Sequence, residues 1–224
     1  MRKFLSRYKI FIITFGILCV VIMWSIYSLL KPEKKLAIYQ PDMVNNELVD
    51  TTMQYVRKYH KIADFKLINQ NGDTITNKNY NDKIYIADFF FTTCATICPI
   101  MTDHMVKIQN RIKDDPEVLL LSHTVMPRTD TVAQLKRYAE EKGVIDEKWN
   151  LVTGNKKQIY DLARKSYLAA KSEGDGGKYD MVHTENFVLV DKNRQIRGFY
   201  DGTNPEAIED LMADINILKQ EYQD

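Results

Sequence analysis

At 224 residues the chain has room for one domain with extensions, or at most two small domains, and for a substantial core. Its 31 Lys+Arg against 30 Asp+Glu leave a net charge of +1, which argues against a nucleic-acid binder. The charge is unevenly spread, because residues 1–30 carry Arg2, Lys3, Arg7 and Lys9 and no acid, leaving 27 basic against 30 acidic residues beyond them.

From Ile10 to Leu30 no residue is charged. In a helix, at about 1.5 Å per residue, that run spans about 30 Å, the hydrocarbon thickness of a bilayer. A single transmembrane anchor is therefore predicted over 10–30, behind a stub at 1–9. A cleaved signal peptide would have an apolar region of about 7–15 residues ending in small side chains. Here the run ends Trp24-Ser25-Ile26-Tyr27-Ser28-Leu29-Leu30. A lipoprotein signal fits no better, since Cys19 follows bulky Ile17 and Leu18. The positive stub is expected in the cytoplasm and everything after Leu30 outside; Lys31, Lys34 and Lys35 weaken the asymmetry without reversing it. The stub is too short for a transit peptide, so the expected setting is a bacterial cytoplasmic membrane, crossed once, with the soluble part on the periplasmic or outer face.

Residues 31–59 are polar and are expected to form a stalk or linker with a helix around Glu47–Lys58, and 60–224 the domain. Its first elements read as a hairpin, Asp64–Ile68 and Thr74–Thr76 about an Asn71-Gly72 turn. Ile84–Phe91 is an almost unbroken apolar run, as in a central strand covered on both faces. Pro99 marks a first helical turn, followed by Met101, Met105, Ile108 and Ile112 at helical spacing. Further predicted elements are a strand at Val118–Leu121, helices at Thr131–Lys142 and Asn155–Tyr167, and, after a Gly-rich stretch at Gly174–Gly177, a hairpin of Phe187–Val190 and Ile196–Tyr200. A closing helix runs from Pro205 to about Leu218. This order predicts an α/β domain with a mixed sheet between helices. A dithiol where the first central strand leads into a helix matches a thioredoxin-like fold.

The chemistry centres on Phe91-Thr92-Thr93-Cys94-Ala95-Thr96-Ile97-Cys98-Pro99. With Cys19 in the lipid span, Cys94 and Cys98 are the only thiols beyond it, and a disulfide closing so short a loop adds little stability. A helix N-terminus favours thiolates, which act as redox nucleophiles or as soft-metal ligands. Two thiolates leave a site for Cu(I) one ligand short, and four histidines are available. His60 precedes the first strand, His104 lies in the helix after the motif, and His123 follows the second central strand at the same sheet edge. His183 stands just before the Phe187 strand, in the loop that faces the dithiol in a thioredoxin-like topology. Zinc, with its preference for four ligands, stays open.

The motif Phe-Thr-x-Cys-x-x-x-Cys-Pro at Phe91–Pro99, the hairpin Phe65-x-Leu67-x-x-Gln70-Asn71-Gly72 and the distal His183 together resemble the Sco (SenC/PrrC) family. Its members are membrane-anchored thioredoxin-like copper proteins that help assemble the copper centre of cytochrome c oxidase. The resemblance covers Asp64 to about Leu218. It implies a metal site of Cys94, Cys98 and His183 holding one copper ion, Cu(I) or Cu(II), and a partner in the copper-receiving subunit of a membrane-bound oxidase. Two departures stand out. Ala95-Thr96 replaces Pro-Asp in the cysteine loop. Met126-Pro127-Arg128-Thr129-Asp130-Thr131 lacks an acid and a base of the family pattern, and Met126 offers either a thioether or packing.

Asp88 lies six residues before Cys94 in an apolar strand, the offset at which thioredoxin-like reductases keep a buried acid. A carboxyl raised by burial could handle the proton of the second thiol, and the equally weighted alternative is a strand residue whose side chain reaches a neighbouring backbone or base. The alternative function is thus a thiol-disulfide oxidoreductase that keeps the cysteines of a copper-receiving protein reduced, with Cys94, Cys98 and Asp88 as its catalytic set. Against it, the chain has no proline between Pro127 and Pro205 to serve as the cis-proline such enzymes use to dock substrate. The leading expectation is a copper metallochaperone with a redox-active cysteine pair.

Overall fold

A computed structural model describes residues 8–30, 34–45, 49, 53–170, 177, 180–182 and 184–223. It divides into two units, Met1–Lys35 and Leu36–Asp224. In the first, α1 spans Lys9–Leu30, one residue longer than predicted, and is long and apolar enough to cross a membrane, with a mean hydropathy of 2.5 over Lys9–Tyr27.

The second unit is built on a seven-stranded mixed sheet. The strands are β1 Lys66–Asn69, β2 Thr74–Thr76, β3 Ile84–Phe90, β4 Val118–Thr124, β5 Trp149–Thr153, β6 Asn186–Val190 and β7 Ile196–Asp201, in the order β2-β1-β5-β4-β3-β6-β7. β3, β4 and β5 run parallel, and antiparallel β1 and β6 flank them. The helices are α2 Ile97–Ile112, α3 Val132–Lys142, α4 Lys156–Asp161 and α5 Pro205–Glu221.

All seven residues of β3 are buried, because alternate side chains enter different cores. Ile84, Ile86 and Phe90 join Met101, Met105 and Ile108 of α2, Leu135 of α3 and Leu211 and Ile215 of α5. Tyr85, Ala87 and Phe89 join Phe65, Tyr160, Leu162 and Tyr167 on the opposite face. The result is the three-layer, thioredoxin-like arrangement expected. Local chemistry ends the elements: Thr131 caps α3 by accepting from the Gln134 N–H, and Gly143 closes it in the left-handed region at φ 70°.

Three expectations need amending. β5 was not foreseen. The third helix is α-helical only over Lys156–Asp161 and continues as a π turn, Leu162–Ser166. Part of the predicted helix near 47–58 lies outside the described residues, while Met53–Tyr55 form a turn in which the Val56 N–H donates to the Met53 carbonyl at 2.9 Å. Within the predicted stalk, Tyr39 bridges to Ile196 of β7, and Arg197 donates to the Leu36 and Ala37 carbonyls at 2.8 and 3.1 Å. The Gly-rich stretch lies outside the described residues apart from Gly177.

Met105 is completely buried between α2 and the sheet. Met105→Ala should cost about 2–5 kcal/mol, seen as a lower urea midpoint at an unchanged slope.

Candidate metal and redox centre

β3 delivers the chain to the cysteines. After Phe90, the Cys94 N–H donates to the Phe91 carbonyl at 3.2 Å, turning the backbone into α2. Cys98 falls in the first turn of α2, is only 4% exposed and packs with Met101 and Phe90, whereas Cys94 is half-buried. Both thiols are free.

Their surroundings make them unlike. Burial alone would raise Cys94, but hydrogen bonds from the Cys98 thiol, the Thr96 and Cys98 backbone N–H groups and the Thr96 hydroxyl outweigh it and bring the group down to about 7. Burial, reinforced by the neighbouring Cys94, pushes Cys98 up to about 12. At neutral pH the pair is an accessible half-ionised thiol that accepts a hydrogen bond from a protonated buried one. This is the polarity of an attacking and a resolving thiol, and also of two soft donors that converge.

Asp88 is on the cysteine face of β3. It is 3% exposed, one carboxyl oxygen has no hydrogen-bond partner among the described residues, and burial pushes the group up to about 7 despite a hydrogen bond from Ser122. Trp149 of β5 donates to the Ser122 hydroxyl at 2.8 Å, so the unforeseen strand orients a side chain that donates to Asp88. The negative charge of Asp88 contributes to the raised Cys98 value, which couples the two groups.

The histidines separate by position. His60 bonds the Ser166 carbonyl through Nε2 at 2.8 Å, and His104 bonds the Gly202 carbonyl through Nδ1 at 2.8 Å. Both are buried, and each is tied to a backbone carbonyl. His123 reaches the expected sheet edge but on the wrong face: it is fully buried, stacked on Phe89 at 4.9 Å and flanked by Tyr167 and Phe65. Burial lowers it to about 4. Met126 packs against the same far core. Among the described residues no cluster of three His, Cys, Asp or Glu side chains forms a metal site, and His183 lies outside the described residues.

One further residue supports the site. Asp130 is completely buried and accepts from the Thr92 N–H at 3.1 Å, from the Thr92 hydroxyl at 2.6 Å and from the Thr124 hydroxyl. It clamps the loop before Cys94 to the end of β4.

The fold and the paired thiols define a thioredoxin-like dithiol domain behind an apolar helix. The family model described as SCO1/SenC matches residues 53–219, and the chain belongs to that family. It is 29% identical over 158 residues to the "SCO1 protein homolog" of Bacillus subtilis, covering 70% of this chain and 81% of the relative. The structure of BsSco, described by the identification of a disulfide switch and as a member of the Sco family of cytochrome c oxidase assembly proteins, superposes with a TM-score of 0.60 at 29% identity, covering 71% and 93% of the two chains. Arabidopsis thaliana ScoI with copper bound shares the fold, with a TM-score of 0.53 at 24% identity over 69% and 97%.

Two outcomes follow. Alkylation of Cys94 should rise with pH about a midpoint near 7, while Cys98 stays unreactive until the domain unfolds; mass spectrometry of the labelled protein reads both. Asp88 has a folded value above its unfolded one, so its stabilising contribution is full below about pH 4 and is lost as pH rises through 7. The stability of Asp88→Asn relative to the parent should therefore improve between pH 4 and 7 and level off above, as measured by chemical denaturation.

Proposed function

We propose that this protein is a membrane-anchored copper metallochaperone, in which Cys94, Cys98 and His183 hold one copper ion as cargo for a copper-receiving subunit of a membrane-bound cytochrome oxidase. The observation that carries the reading is the unlike thiol pair at the start of α2, inside the region matched by the SCO1/SenC family. Two convergent sulfurs suit a soft ion and leave it incompletely ligated, so an imidazole completes the set without saturating it. Copper bound in the Arabidopsis relative and the oxidase-assembly role attached to BsSco support the same cargo and client.

The chain's own groups handle the protons. Cys94 is half-ionised near neutral pH and is available to a cation first. Cys98 gives up its proton as the ion arrives, and its burial limits access by other reagents. Positive charges before α1 favour a stub in the cytoplasm, so that the domain works on the outer face of a bacterial cytoplasmic membrane, next to its client.

Anaerobic competition of the detergent-solubilised full chain against a Cu(I) chelator tests the reading. The parent should retain about one copper, Cys94→Ser should retain none, and His183→Ala should weaken retention by at least about tenfold, the size of a loss from even an outer-shell partner. Equal retention by parent and His183→Ala would overturn the ligand set.

Asp88 supports a second activity of the same centre. The Cys94 thiolate attacks the disulfide of a client protein, releasing one client thiolate and forming a mixed disulfide. Asp88 takes the Cys98 proton as Cys98 attacks Cys94, which frees the second client sulfur and leaves a Cys94–Cys98 disulfide. The client gains the two electrons that the pair loses, and the oxidised pair no longer binds copper. Reduction of a disulfide substrate should vanish in Cys94→Ser and slow in Asp88→Asn. A pair that reacts no faster than free cysteine rules this activity out.

A further inference from the structure

Neither activity accounts for a buried ion pair on the far side of the sheet. Arg164 and Asp180 meet through two parallel hydrogen bonds, Nη1 to Oδ2 at 2.6 Å and Nη2 to Oδ1 at 2.7 Å, with side chains only 7% and 8% exposed. Arg164 belongs to the π turn Leu162–Ser166, and such turns recur at functional sites. Two more residues converge on the same short segment. Lys156 Nζ donates to the carbonyls of Gly177 and Asp180 at 2.6 and 2.7 Å. The Tyr160 hydroxyl lies 3.2 Å from the Asp180 carbonyl and 3.0 Å from that of Val125. The Val125 N–H in turn donates to the Phe90 carbonyl at 2.8 Å, at the end of β3 and four residues before Cys94.

Asp180 stands three residues before His183. The residues on either side of His183 are anchored as well: Val182 and Thr184 are 3% and 6% exposed, and the Thr184 hydroxyl accepts from the Asn186 N–H at 3.1 Å. A buried ion pair contributes little net stability over an apolar replacement, but a two-pronged guanidinium–carboxylate contact fixes geometry closely. Here the contact holds the segment leading to His183, and Tyr160 ties that segment to the strand end leading to the cysteines.

We infer that Arg164 and Asp180, with Lys156 and Tyr160, position the segment that presents His183 to the cysteine pair, so that the pair sets copper affinity without touching copper. The inference rests on the reading of His183 as a ligand. Arg164 is thus a positioning residue, and its effect must pass through His183.

A double-mutant cycle on the detergent-solubilised full chain separates this from a general loss of stability. Arg164→Gln should weaken Cu(I) retention about tenfold or more, the range of outer-shell losses. In a His183→Ala background the same change should cost nothing further. Arg164→Met combined with Asp180→Leu removes both charges without stranding either, and should fold and reproduce the loss. In metal-free protein these variants should speed amide exchange over 180–185 and leave β3, β4 and the Cys94 alkylation midpoint unchanged. Undiminished affinity in the charge-free variant, or an equal loss with and without His183, overturns the inference. If His183→Ala alone leaves affinity intact, the ligand set falls and the positioning role falls with it.

Discussion

Strand β3 is buried along its whole length, and the remaining features of the centre depend on it. A strand covered on both faces must send alternate residues into different cores, so a single polar residue within it is committed to one face. Asp88 shares the face of Ile86 and Phe90, which is the face on which α2 lies. The same strand ends where Phe91 begins the turn to Cys94, and α2 then carries Cys98 back over that face. One strand therefore places an accessible thiol, a buried thiol and a buried acid within electrostatic reach of one another. Their unlike proton affinities come from depth: Cys94 keeps solvent and hydrogen-bond donors, while Cys98 and Asp88 lose solvent.

Much of this was legible in the sequence because it depends on patterns that burial imposes. The apolar run of β3 and the repeat of Met101, Met105, Ile108 and Ile112 at spacings of three and four each report a local rule, and each element formed. β5 obeys no such rule. Its five residues include Asn150, whose side chain hydrogen-bonds Tyr80 and Asn69, so its polarity is satisfied by partners distant in sequence. His123 failed for a different reason. Proximity to the sheet edge was correct, but β4 runs on to Thr124, and alternation from Leu121 carries position 123 to the far core. Asp130 and Arg164 were illegible because Thr92 and Asp180, the partners that give them their roles, lie 38 and 16 residues away and meet them only in the folded chain.

The two activities proposed for the centre meet the same obstacle, a proton held on Cys98. Copper binding needs both sulfurs as thiolates, and resolution of a mixed disulfide needs Cys98 as a nucleophile. Burial makes that deprotonation unfavourable, and a thiol kept protonated is a poor nucleophile. An incoming cation overcomes the penalty directly, because its charge replaces the proton's. A mixed disulfide at Cys94 brings no such charge and removes the adjacent thiolate, so the proton must go to a nearby base. Asp88, raised to about 7 and short of one hydrogen-bond partner, is the group on that face with the capacity to take it. On the proposed reading the acid is dispensable for holding copper and assists disulfide chemistry, and this difference in proton acceptor divides the two proposed activities within one pair of cysteines.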